Sequence, residues 1–156
     1  MMVRFSRVSL LLSMVSLGAC VDTPQHQQPL VGSVAHGETA VAARACAGCH
    51  EPDFAGRLDA FHDDTTYLPD TISYASNLTP DLATGIGSWS DAQIDVAIRV
   101  GVDGIDKPMC EPMPVYAMMS DQEVADIIAY LRSLPPVAKA VPQSACPSQH
   151  GGPHDE

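Results

Sequence analysis

The stretch Cys46-Ala47-Gly48-Cys49-His50 constrains this chain of 156 residues more than any other. Two thiols three positions apart lie on adjacent turns of backbone, and the imidazole that follows is held at a fixed offset from both. Such a set suits a planar macrocycle. Both thiols can add to its two vinyl groups, and His50 then lies under the central iron. The spacing C-x-x-C-H is the attachment pattern for one covalent haem c. Ala47 and Gly48 are small and leave the approach open. A C-x-x-C pair also serves as a redox dithiol or as half of a zinc site. A redox dithiol wants a preceding strand, whereas the residues before Cys46 are Ala-rich and helical in pattern. A zinc site wants a partner pair, and there is no second C-x-x-C.

Residues 1–19 read as a secretory signal peptide, with Arg4 and Arg7 as the positive region and Val8 to Leu17 as the apolar run. That run is too short to cross a bilayer as a helix. The leader ends in Leu17-Gly18-Ala19-Cys20, which resembles the lipobox of bacterial lipoproteins, with Cys20 the lipidated first residue of the mature chain. The plainer reading is an ordinary cleavage site followed by an incidental cysteine. Several acyl chains on Cys20 would anchor the protein stably to a membrane, where one alone would be marginal. The expected location is the periplasmic side of a bacterial cell envelope. The chain carries 8 basic and 19 acidic residues. Two of the basic residues are in the leader, which has no acid, so the remainder has six against nineteen, a formal −13. That balance argues against a nucleic-acid partner and against direct binding to anionic lipid. It favours a protein partner with a basic docking surface. With Cys20 assigned to lipid and Cys46 and Cys49 to haem, Cys110 and Cys146 remain, an even pair suited to a disulfide in an oxidising compartment.

The chain divides into the leader, a Pro- and Gln-containing tether over 20–32, a folded domain over 33–146 and a disordered tail over 147–156. A first helix is expected over Ser33 to Ala45, with Ser33 as N-cap. Gly37 weakens its interior and also permits another helix to approach closely. Residues 51–76 read as a long acidic loop along one haem edge, with Phe54, Phe61, Tyr67 and Tyr74 packed inward. His62, Asp63 and Asp64 within it read as solvated charge rather than a metal site. A capping box at Ser90-Asp91-Ala92-Gln93 opens a second helix that Gly101 stops. Prolines 108, 112 and 114 keep the next stretch a loop. A better capping box, Ser120-Asp121-Gln122-Glu123, opens a last helix, with Val124, Ile127, Ile128 and Leu131 on one face and Pro135-Pro136 beyond its end.

This order of helix, C-x-x-C-H, loop, helix, Pro-flanked Met and terminal helix resembles the class I c-type cytochromes over roughly Ser33 to Val137. Segments similar to Asn77-Leu78-Thr79-Pro80-Asp81, Gly85-Ile86-Gly87-Ser88-Trp89 and the Met113-Pro114 loop occur in the cytochrome c subunits of membrane-associated alcohol and aldehyde dehydrogenases. Those subunits usually carry several haems, whereas this chain has one motif. The resemblance implies an all-α cytochrome c fold, a few helices with long loops around one haem. It implies Met113 as the ligand opposite His50, since Met113 occupies the Pro-flanked position. Met109 is the alternative; Met118 and Met119 read as packing under the last helix. It also places Asn77 and the indole N–H of Trp89 near a haem propionate. The function implied is that of a single-electron carrier between a dehydrogenase and a terminal acceptor, with no bond chemistry of its own and redox proteins as partners. The rivals are a haem-based redox or gas sensor and a small haem peroxidase, both of which need an open iron position.

Overall fold

The computed structural model describes residues 30–61 and 71–146. Among these it contains four helices, no strand and three isolated backbone bridges, an all-α architecture as expected. Helix α1 covers Val34–Ala43, α2 Cys46–His50, α3 Asp91–Val100 and α4 Asp121–Ser133. No helix among the described residues is long and apolar enough to cross a membrane. The expected leader, most of the tether, Tyr67, the His62-Asp63-Asp64 triplet and the expected tail lie outside the described residues.

The frame is α1 packed on α4. Val41, from α1, joins Val124, Ile127, Ile128 and Leu131 of α4 in one core, with Phe54, Ile86, Ile94 and Met119. Gly37 sits where the two helices meet. A Cβ placed there would lie 2.0 Å from the Asp126 carbonyl oxygen and 2.7 Å from Tyr130 Cβ. The anticipated close approach is therefore real, and the backbone leaves no room for a methyl group. Gly37→Ala is expected to push the helices apart and cost about 1–3 kcal/mol, against the ~1 kcal/mol that alanine normally adds to a helix interior. An unchanged or higher midpoint in denaturant unfolding would show that the fold does not depend on this approach. The entry of the chain is fixed by Asp126, which is buried on α4. Its Oδ1 accepts from the Ser33 amide at 2.7 Å and from Gln122 Nε2 at 2.8 Å. These two bonds, the backbone one first, hold the Asp126 carboxyl below the usual carboxylate range. The stability they supply is present above that range and is lost on acidification.

Helix α1 stops at Ala43, two residues earlier than its pattern suggests. Ala45 takes a left-handed conformation, φ 54°, and turns the chain directly into α2. The Ser90–Gln93 box is reciprocal, as expected, and Gly101 ends α3 at φ 76°. The box at Ser120 is only half made. Ser120 Oγ accepts from the Glu123 amide at 3.2 Å, but the Glu123 carboxylate turns away to Arg44 Nη2 at 2.8 Å. An arginine from α1's end outcompetes a local backbone N–H because the bond it offers is between charges. Arg132 of α4 reaches the other way. It donates to the carbonyls of Ile86 and Trp89 and to Asp91 Oδ1, which staples the 85–89 turn to the frame.

From Val137 onward the sequence has no helical pattern and reads as a tail that a Cys110–Cys146 bridge would pin across α4. It is instead an extended strap that runs along the 72–84 segment. Val137 N donates to Thr79 Oγ1 at 3.1 Å, and Lys139 N to Thr84 Oγ1 at 3.0 Å. Ile72 and Ala145 exchange backbone bonds of 2.7 and 2.8 Å. The cause is the proline pair that ends α4 together with Thr79, which is buried, and Thr84, which is half-buried; the two threonines give the outgoing backbone fixed partners. The strap ends at Cys146, joined to Cys110 with Cα atoms 5.6 Å apart.

Candidate haem site

Helix α2 is a single turn that carries both thiols and the imidazole. Cys46 and Cys49 are half-buried and unbridged. Burial pushes the Cys46 thiol above its ordinary value, so it is protonated at neutral pH. His50 is 7 % exposed. Its Nδ1 lies 2.8 Å from the Ser76 carbonyl oxygen, which makes Nδ1 the protonated nitrogen. Nε2 has no hydrogen-bond partner among the described residues and is not itself enclosed, since every enclosed side-chain nitrogen or oxygen there is paired. Burial holds the imidazole below its ordinary pKa, in the neutral form that binds metals. Two free thiols on one turn and an imidazole with one nitrogen fixed and the other open form a donor set that fits a covalent haem.

The Ser76 carbonyl is itself framed. Gly56, at φ +79°, packs so closely that a Cβ there would sit 2.5 Å from the Ala75 oxygen and 2.7 Å from the Ser76 carbonyl carbon. Neither Ser76 nor Gly56 stood out in the sequence. A backbone carbonyl leaves no mark on residue type, and only the glycine's close approach could have signalled it. Phe54 is buried and meets Tyr130 edge-on at 5.7 Å between centroids. Phe61 is only half-buried and lies under Arg57.

Asn77, 2 % exposed, follows Ser76 directly. Its Oδ1 accepts from Thr79 N at 2.9 Å and Thr79 Oγ1 at 2.7 Å. Its Nδ2 faces Thr84 Oγ1 at 3.1 Å, the Val137 carbonyl at 2.8 Å and the Lys139 carbonyl at 3.3 Å. Its partners are thus protein groups of the strap and the 79–84 turn. Trp89 packs against the core, with the Gly104 backbone on its ring. Its indole N–H has no acceptor among the described residues.

The loop between α3 and α4 carries the four methionines. Met118 is 97 % exposed and Met119 6 %, inside the core. Met109 and Met113 are both half-buried. The end of this loop returns to α2: Arg44 lies 5.2 Å above the Tyr116 ring, and Cys46, Ala47 and Tyr116 pack on the same core.

The cytochrome c family model matches residues 34–135, which is most of the described domain. This chain belongs to the cytochrome c family. A cytochrome c domain is an electron-transfer component and not itself a catalyst. Among its relatives is the gluconate 2-dehydrogenase cytochrome c subunit of Pantoea cypripedii, 32 % identical over 91 % of this chain and 32 % of the relative. A diheme cytochrome c-type protein of Cereibacter sphaeroides is 34 % identical over 71 % of this chain and 39 % of its own length. The cytochrome c subunit of a quinone alcohol dehydrogenase from Gluconacetobacter polyoxogenes is 27 % identical over 86 % and 29 %. The chain therefore spans well under half the length of these cytochrome relatives.

Proposed function

We propose that this cytochrome c domain carries one haem on Cys46 and Cys49, ligated by His50 and Met113, and passes single electrons from a dehydrogenase to an acceptor in the bacterial cell envelope. The observation that carries the reading is the His50 ring, fixed through Nδ1 by the Ser76 carbonyl with Nε2 unclaimed beside two unbridged thiols. The haem would supply a reversible one-electron centre. The Cys46 and Cys49 sulfurs and the His50 imidazole would hold it, with the Ser76 carbonyl fixing the imidazole through Nδ1. Trp89 N–H is the remaining donor suited to a propionate. In this reading residues 1–19 are removed, Cys20 is lipidated, 20–32 tether the domain, 33–146 form it and 147–156 trail from it. A relation to dehydrogenases is supported by the cytochrome subunits named above, and a single haem by the single C-x-x-C-H.

The partner would present a basic surface. Four of the domain's six cations are paired with carboxylates: Arg44 with Glu123, Arg57 with Glu51, Arg99 with Asp95 and Asp121, and Arg132 with Asp91. Lys139 Nζ donates to the Gly56 carbonyl, and Lys107 alone has no such partner among the described residues. The field outside the domain is therefore that of the unpaired acids. Stopped-flow electron transfer to a basic redox protein is expected to slow by about tenfold or more as salt is raised from millimolar to half-molar, because screening removes the steering. A rate that climbs with salt would contradict the acidic docking face.

A further inference from the structure

We propose that Asn77, held by carbonyls of the C-terminal strap, is a positioning residue for His50: it fixes the Ser76 carbonyl that accepts the imidazole Nδ1–H, and so sets how strongly the other nitrogen donates to iron. The inference rests on the reading of His50 as the proximal ligand.

The Ser76 carbonyl and the Asn77 amide nitrogen share one planar peptide unit, so the direction of the carbonyl follows from where Asn77 is held. Asn77 has little freedom. Its amide oxygen serves Thr79 twice, and its amide nitrogen faces Thr84 and two strap carbonyls, Val137 and Lys139. Thr79 closes the circle, because its hydroxyl also takes the Val137 amide at 3.1 Å. On the opposite side the peptide unit abuts Gly56, where a Cβ would stand 2.8 Å from the Asn77 nitrogen. Flanking backbone bonds, Arg57 N to the Ala75 oxygen at 3.0 Å and Leu78 N to the Phe54 oxygen at 2.8 Å, stop the segment sliding. The carbonyl aimed at His50 is thus clamped between a wall with no side chain and a buried amide with one possible pose.

That matters for the iron because a hydrogen bond at Nδ1 raises the basicity of the ring and fixes its tautomer. A more basic imidazole favours the ferric state. Loosening the clamp weakens the bond, reduces donation and raises the reduction potential. A role confined to stability would leave the potential of the folded protein where it was.

The test uses the full-length holoprotein and three variants, Asn77→Ala, Thr79→Val and Thr79→Ser. Three properties are read: the reduction potential, the proton NMR shift of the His50 Nδ1–H and its solvent exchange, the last two in the ferrous protein. Asn77→Ala is expected to raise the potential, move the Nδ1–H signal upfield and speed its exchange at least tenfold, with the ferric sulfur-to-iron band retained. Thr79→Val should shift all three in the same direction by less, and Thr79→Ser, which restores a hydroxyl, should return them to wild type. Variants that keep haem and band, lose stability and show an unmoved potential and Nδ1–H signal would overturn the positioning role. If Asn77→Ala yields no folded holoprotein, Thr79→Val against Thr79→Ser decides by the same criteria. A wild-type protein without a histidine-ligated haem would overturn the inference together with the reading beneath it; a wild type that has one, with unmoved variants, would overturn the inference alone.

Discussion

Met113→Ala is expected to abolish the sulfur-to-iron band of the ferric protein and to lower the potential by on the order of 100 mV or more, within the ~0.8 V that axial ligation spans. A thioether is a soft, neutral ligand that favours ferrous iron, so its loss stabilises the ferric form. Of the four sulfurs in the loop, Met113 is the proposed one. Met118 is almost wholly exposed and Met119 is packed in the core. Met109 is anchored at the base of a small hairpin, its amide donating to the Gly101 carbonyl at 2.7 Å. Met113 stands between Pro112 and Pro114, on backbone whose φ angles are restricted in advance. With the sulfur removed, carbon monoxide should bind the ferrous variant readily and the wild type poorly. If Met109→Ala removes the band instead, the ligand is the other sulfur. Ready binding of carbon monoxide by the wild type would favour a sensor or a peroxidase over a carrier.

Loss of the Cys110–Cys146 bridge should have the second-largest effect. The two cysteines are 36 residues apart, and a closed loop of that size constrains the unfolded chain by roughly 4 kcal/mol in the entropy model. Cys146→Ser is expected to lower stability by up to that amount. It should also weaken the ferric sulfur band. Cys110 lies three residues before Met113, with the Met113 amide donating to its carbonyl at 3.3 Å. The bridge fixes that anchor to a strap already bonded along 72–84. The iron–thioether bond is weak, so a loop freed at its base gives Met113 somewhere else to go. Two free thiols by counting in native protein would refute the bridge. A band that survives Cys146→Ser unchanged would refute only its action on Met113.

The elements that were legible in the sequence are those whose cause is local. The Ser90–Gln93 box, the α4 stripe from Val124 to Leu131 and the Gly37 crossing each follow from side-chain period or size, and each is found where expected. The half-made box at Ser120 was not legible, because Glu123 is claimed by Arg44, 79 positions away in sequence. The strap reads as a tail because it has no apolar period; its order comes from Thr79, Thr84 and Asn77, which bond to its backbone whatever its side chains are. For the same reason the candidate site was legible only in part. Cys46, Cys49 and His50 declare themselves by residue type and spacing. The Ser76 carbonyl and the Gly56 wall act through backbone. The place of Asn77 near a propionate comes from resemblance; the protein partners the structure gives it are the strap and its own turn.

The central claim is a single covalent haem on Cys46 and Cys49. Mass spectrometry of the denatured protein tests it most directly. The expected mass exceeds that of the processed, lipidated chain by one haem, retained through acid–organic extraction and lost in a Cys46→Ser, Cys49→Ser double variant. A haem that leaves the wild-type protein in acid, or a mass with none or with two attached, would contradict it.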